Sequence, residues 1–217
     1  MLPLIVSYYT LDTGYEEEIK NLINSCEKLG LQTDFVGIKS RGKWDQNCCY
    51  KPQFLMKKLQ EHQRPLVWVD ADAVILKKPL LLENLTCDIA VRVYEDLPVS
   101  HPSKVYTGTV YFGNTPGAFE LLKLWDEISQ QMLKQSKQEV WDQITLKEAL
   151  LKKTDVDLFP LPDTYSTIYD KTLTPKEEAV ILHYQASRLF KKVINKEVAP
   201  FWEEAMFSQE SRNNFFT

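Results

Sequence analysis

The sequence predicts an α/β fold, with a mixed, mostly parallel sheet flanked by helices. Three observations carry this. Short apolar runs alternate with segments of helical period from the start of the chain, the pattern of βαβ units. Leu66-Val67-Trp68-Val69 is a continuous apolar run, as in a strand buried on both faces. The 217 residues are 44% hydrophobic and 26% charged, which is enough to bury one sizeable core.

Leu4 to Tyr9 reads as the first strand. Ile19, Leu22, Ile23, Cys26 and Leu29 then recur at helical spacing, and Gly30 supplies a C-terminal stop. Thr33 to Ile38 makes a second strand, and the polar stretch Lys39 to Asn47 reads as a loop. Pro52 to Leu59 is expected as a short helix with Phe54, Leu55 and Leu59 inward. The strand ending at Asp70 follows, then a short apolar piece from Ala73 to Leu76, stopped by Pro79. Ile89 to Tyr94 and Val105 to Phe112 are further strands. Ala118, Leu121, Leu122, Trp125, Ile128 and Met132 mark a long amphipathic helix, and Trp141 to Leu151 another. Asp157 to Leu161 and Val180 to Tyr184 read as late strands. From Lys191 the chain is mixed and charged; Phe201, Trp202 and Phe207 suit a docked terminal helix, and 208–217 a flexible tail. With no linker or repeat, 1–207 is expected to be a single domain.

A net charge of −4 argues against a broad nucleic-acid or anionic-membrane surface, while leaving room for a local basic pocket. No apolar stretch approaches the roughly 20 residues that span a bilayer. The start, Met1-Leu2-Pro3-Leu4-Ile5-Val6, lacks a basic n-region and a long apolar h-region, so it reads as a strand and not a signal peptide. Cys26, Cys48, Cys49 and Cys87 fit no zinc spacing, and a vicinal pair rarely closes a bridge. Reduced thiols and a cytoplasmic location are the expectation. The sequon at Asn84-Leu85-Thr86 then has no role.

Asp70-Ala71-Asp72, launched from the end of the buried strand, is the most informative feature. Two carboxylates two residues apart suit a hard divalent cation, which takes oxygen ligands and shares them with phosphates. In open α/β sheets, ligands sit at the carboxyl ends of strands. The bland counterpart is a solvated turn capped by Asp70. His183, at the end of Val180-Ile181-Leu182, is either a hydrogen-bonded structural residue or a metal ligand. Arg188 can meet a phosphate through its fork of donors or form a surface ion pair. Only seven glycines are present, and none forms GxGxxG or a Walker loop, so any diphosphate must be held by metal and basic side chains. Lys51 is a candidate for that task, or a solvated lysine at a helix start. Gly108, in Thr107-Gly108-Thr109, allows close approach of a ligand or marks a bulge. Asp142 opens a helix, either as a cap or as a carboxylate aimed into a cleft.

Together these pieces resemble a GT-A-fold glycosyltransferase of the nucleotide-diphospho-sugar transferase superfamily, over roughly Leu4 to Arg188. The resemblance implies a Rossmann-like GT-A sheet. Ile5-Val6-Ser7-Tyr8-Tyr9-Thr10 is similar to the family's opening strand, which implies that Tyr8, Tyr9 and Thr10 contact the nucleotide. Lys51-Pro52-Gln53-Phe54-Leu55 followed by Leu66 to Ala73 resembles the helix and DxD strand, implying that Asp70 and Asp72 hold manganese or magnesium on the diphosphate, which Ala71 is small enough to let approach. Tyr106-Thr107-Gly108-Thr109-Val110 resembles the strand beside the donor sugar, with Tyr106-Thr107 in place of Asn-Ser. Trp141-Asp142-Gln143 resembles the helix start beside the acceptor cleft, and Leu182-His183-Tyr184 the late histidine that completes the metal site in some branches. The implied activity is hexosyltransferase-like: transfer from a nucleotide-diphosphate sugar, UDP first among nucleotides, to a hydroxyl of a glycan or other acceptor. The cation neutralises the leaving diphosphate, with Lys51 or Arg188 in support. Asp142 is the base if transfer inverts the anomeric centre.

Two other readings stand beside it. Asp70-Ala71-Asp72-Ala73-Val74 also matches the D-x-D-x-[TV] opening of haloacid-dehalogenase-type phosphatases, with Asp70 as nucleophile. The pattern also fits a non-catalytic module that binds a sugar nucleotide.

Overall fold

The computed structural model describes residues 2–171, 174–175 and 177–194. Six strands form the main sheet: β1 (Leu4–Thr10), β2 (Thr33–Ile38), β3 (Leu66–Val69), β5 (Ile89–Val93), β6 (Val105–Phe112) and β7 (Leu158–Pro160). Their spatial order is β2-β1-β3-β6-β5-β7. β1 pairs in parallel with both β2 and β3, and β5 with β7; β6 runs antiparallel to β3 and β5. A second sheet, which the sequence reading merged with the first, orders β4 (Ala73–Ile75), β9 (Ile181–His183) and β8 (Thr167–Ile168). Its β4–β9 pairing joins segments about a hundred residues apart, so no local pattern announces it.

Alternation along the central strands explains the sheet's two faces. Leu4, Val6, Tyr8, Leu66 and Trp68 pack in one cluster with α3 (Lys51–His62), α4 (Pro116–Gln135) and α5 (Asp142–Lys152). Ile5, Val67 and Val69 pack in the other with α1 (Tyr15–Leu29) and β4. Helix α1 stops at Gly30, which takes the left-handed conformation (φ 63°) and returns its N–H to the carbonyls of Cys26 and Glu27. No described helix is long and apolar enough to cross a membrane. All four cysteines are free.

Two helices depart from the sequence expectation. Trp44–Cys48, inside the expected loop, is a short helix, α2. It has no room for an apolar period. Side chains hold it instead: Lys43 N–H donates to Gln46 Oε1 at 2.9 Å, and Arg41 N–H to Asn47 Oδ1 at 2.7 Å. Near the end of the described chain, Ser187–Ile194 forms α6, although its later part reads only as mixed and charged. Phe190 fixes it, edge-on to Tyr15 with ring centroids 5.4 Å apart and buried against Gly14. The ammonium of Lys191 lies 4.8 Å from the Trp44 ring and 5.5 Å from the Trp141 ring. The expected terminal helix around Phe201, Trp202 and Phe207, the single domain's end at 207 and the tail 208–217 all lie outside the described residues.

Candidate active site

Strand β3 ends at Val69, and the chain turns at once. Asp70 N–H donates to Gly108 O at 2.8 Å and Ala73 N–H to Asp70 O at 3.1 Å, so Asp70-Ala71-Asp72 forms a tight corner between β3 and β4. Antiparallel pairing of β4 with β9 sets Ala73 opposite His183. Tyr184 N–H donates to Asp72 O at 3.0 Å, and Ala186 N–H to Asp72 Oδ2 at 2.6 Å. The corner and the late strand are thereby stitched together. One ligand atom each from Asp70, Asp72 and His183 lies within 4.8 Å of the others.

His183 is 0% exposed. Its Nε2 lies 2.9 Å from Thr109 Oγ1, and its ring meets Tyr106 edge-on at 5.4 Å. Nδ1 has no hydrogen-bond partner among the described residues. Burial, and then the charge of Lys51, pushes the imidazole down to about 3, so it is neutral at pH 7. With the proton on Nε2 and donated to Thr109, a lone pair is left on Nδ1. A neutral, buried ring nitrogen without a partner, beside two carboxylates, is a donor set that fits a divalent cation of the manganese or magnesium kind.

Lys51 is 3% exposed and lies between carboxylates. Its Nζ is 2.5 Å from Asp142 Oδ2, 3.1 Å from Asp70 Oδ1 and 3.1 Å from Thr107 O, and 4.7 Å from the Trp68 ring centroid. Three oxygens match its three N–H donors. Burial pulls its pKa down, but Asp142 and Asp70 outweigh that and hold it above the ordinary lysine value. Asp70 moves the other way: burial raises its carboxyl against the lowering effect of Lys51. Its Oδ1 also accepts from Trp68 Nε1 at 2.7 Å. Asp142 opens α5, whose first turn is pinned by Trp125: Nε1 is 2.8 Å from Thr145 Oγ1 and 3.2 Å from Asp142 O.

Two adjoining cavities meet at this corner. The inner one, about 110 Å³, is lined by Tyr8, Tyr9, Thr10, Lys51, Ala71 and Asp72, among others. The outer one, about 500 Å³, is lined by Tyr94, Tyr106, Thr107, Trp141, Arg188 and Lys191, among others. Asp70, Asp142, Trp44, Gln185 and Ser187 line both. Of the residues singled out in the sequence, Tyr8 is buried with its hydroxyl donating to Asn47 O at 2.6 Å, and Thr10 Oγ1 lies 3.0 Å from Thr13 Oγ1. Gly108 lines neither cavity. A Cβ there would come 2.6 Å from the Tyr106 ring, so the glycine makes room for that tyrosine. Arg188 lies at the outer cavity and forks onto Asp170, at 2.5 and 3.2 Å.

Sequence reasoning missed Thr109, Tyr106, Gln185 and Trp68. For Trp68 a signal existed: residues two apart on a strand share a face, and a buried indole N–H needs an acceptor, which Asp70 supplies. Gln185 gave none. It sits at positive φ (59°) and donates to Tyr106 Oη at 2.8 Å, a contact made only by the β9 pairing.

No protein-family model and no curated protein matches the chain. Solved structures do. A glycosyltransferase involved in the glycosylation of the major capsid of PBCV-1 superposes with a TM-score of 0.67 at 13% identity, covering 91% of this chain and 98% of that one. The bifunctional glycosyltransferase WbbM matches at 0.58 and 12% identity over 85% of this chain, which spans 45% of WbbM. The apo form of GlyE from Streptococcus pneumoniae TIGR4 matches at 0.55 and 15% identity over 97% of this chain, which spans 64% of GlyE. At such identities the likeness is one of architecture: over most of its length, the chain has the α/β fold of glycosyltransferases.

Proposed function

We propose that the chain is a metal-dependent glycosyltransferase that moves a sugar from a nucleotide-diphosphate donor, a UDP-sugar first, to an acceptor hydroxyl of a glycan. The observation that carries this is the meeting of Asp70, Asp72 and His183 at the carboxyl end of β3, where two cavities adjoin. The shared fold supports it.

Asp70, Asp72 and His183 would hold the cation. Lewis-acid neutralisation of the leaving diphosphate is the chemistry that manganese or magnesium supplies when bound there. Tyr8, Tyr9 and Thr10 wall the inner cavity and take the nucleoside, with Ala71 small enough for close approach. Asp142 borders both cavities, so its carboxylate faces donor and acceptor together. In an inverting transfer it accepts the proton of the attacking hydroxyl; in a retaining one it binds sugar. Lys51 orients Asp142 and Asp70 from below, with its three donors engaged.

The test is thermal shift with UDP, with and without manganese, on wild type and Asp72→Asn. The asparagine keeps an amide oxygen for Ala186 N–H while removing the charge. At a hundredfold excess over Kd, UDP with manganese should stabilise wild type by about 2.7 kcal/mol, roughly 5–10 °C at this size. Without the metal, or in the variant, the shift should vanish, together with donor turnover. An equal shift in chelator refutes the metal-bridged diphosphate. Hydrolysis of a simple phosphomonoester without sugar-nucleotide turnover favours the phosphatase, and nucleotide binding without turnover under any metal favours the binding module.

A further inference from the structure

The outer cavity carries a charge pattern that the donor reading leaves unused. The chain as a whole is acidic, with 30 Asp and Glu against 26 Lys and Arg. Yet Lys171, Arg188 and Lys191 all line this one cavity. Arg188 and Lys191 are three apart on α6 and so share a face. Contact between Arg188 and Asp170 brings the Lys171 turn to the same place. The two carboxylates that also line the cavity, Asp70 and Asp142, are both engaged from below by buried Lys51.

The three cations differ in what already holds them. Lys191 is committed, paired with Glu139 and set against Trp44 and Trp141. Arg188 is paired with Asp170, but both side chains are more than a third exposed, and an exposed pair of this kind gives way readily to a better anion. Lys171 is exposed and has no ion-pair partner among the described residues. Beside them, Trp141 is 36% exposed, and Tyr94, with the Arg92 guanidinium 4.8 Å from its ring centroid, also lines the cavity. An aromatic face with a planar cationic fork next to it suits a sugar ring bearing an anion. About 500 Å³ is room for such a group with a substituent.

The geometry points to an acceptor that carries an anionic group, a carboxylate or a phosphate on the sugar, held by Arg188 and Lys171 in the outer cavity. This rests on the glycosyltransferase reading for the word acceptor; the binding preference itself stands on the cavity. The donor does not account for these cations, because Tyr8, Tyr9, Thr10, Ala71 and Asp72 wall the inner cavity, which neither Arg188 nor Lys171 lines.

Ligand-observed NMR by saturation transfer, on the protein with UDP and magnesium, tests it with three probes: methyl β-glucoside, methyl β-glucuronide and glucose 6-phosphate. One or both charged probes should bind about tenfold more tightly than the neutral one, and the margin should shrink with salt. Which charged probe binds separates carboxylate from phosphate. In Lys171→Gln with Arg188→Gln, and more weakly in Lys171→Gln alone, the margin should collapse while the UDP shift persists. Equal binding of all three, no binding of any, or a margin surviving in the double variant overturns the proposal. So does loss of the UDP shift in the double variant, which would give the cations to the diphosphate. If wild type shows no UDP shift yet keeps the charged-probe margin, the donor reading fails and the anion site stands.

Discussion

Between pH 8 and 5, acid should destabilise the metal-free protein chiefly through His183. Its imidazole is fully buried and pushed down to about 3, whereas an unfolded chain holds histidine near 6.5. Above pH 6.5 the ring is neutral in both states and contributes nothing to pH dependence. Below it the unfolded chain binds a proton that the folded chain refuses, so stability falls by about 1.4 kcal/mol per pH unit until about pH 3. At pH 5 the loss is about 2 kcal/mol, or roughly 4–8 °C for a chain of this length. Calorimetry in chelator, from pH 8 to 5, on wild type and His183→Gln isolates the effect. Glutamine can still donate to Thr109 Oγ1 but has no proton to take up. The variant should start less stable and lose that much less on acidification. Parallel curves for the two proteins refute the reasoning, since they would mean that His183 is accessible or already charged.

Lys51→Met removes the one cation between two carboxylates. Breaking a buried charge cluster on one side costs roughly 3–5 kcal/mol, so melting should drop by roughly 6–20 °C; a fall of under about 2 °C in calorimetry refutes the cluster's role. Manganese should recover part of the loss, because it too screens Asp70. Gly108→Ala drives a methyl into the Tyr106 ring, whose hydroxyl holds Gln185 and whose edge meets His183. It should cost about 1–3 kcal/mol in denaturant titration and weaken the manganese-dependent UDP shift; an unchanged midpoint and shift together would count against the contact.

The central strands and most helices were legible because each is set by a local pattern. Leu4-Ile5-Val6 and Leu66-Val67-Trp68-Val69 feed two cores at once, so every residue is apolar. Helix α2 was not, since five residues fastened by their own polar side chains show no period. Nor was α6, where Phe190 is buried against the body with Arg188 and Lys191 close by in sequence. In the site, the carboxylate pair was legible from its place after a buried strand. His183 and Lys51 were named as candidates, but nothing local showed how they meet the pair, and Thr109 was missed: His183 arrives through β9, Thr109 through β6 and Lys51 through α3, approaches decided by tertiary packing across long stretches of chain.

That convergence gathers carboxylates and a neutral imidazole at one corner, and the gathering supports the proposed cation more strongly than the tripeptide does. Asp70, Asp72 and Asp142 bring three formal negative charges to one largely buried corner, and Lys51 returns one positive. Neutral donors help hold them, Ala186 N–H on Asp72 and Trp68 Nε1 on Asp70. Burial accordingly raises the Asp70 carboxyl despite Lys51 beside it. A lone surface DxD turn would feel no such pressure, because water would solvate it. On the proposed reading a divalent cation would meet these carboxylates, and neutral His183 would add a ligand without adding charge. On that reading the corner would take a doubly charged guest, and such a guest would in turn bring an anion to its remaining coordination positions.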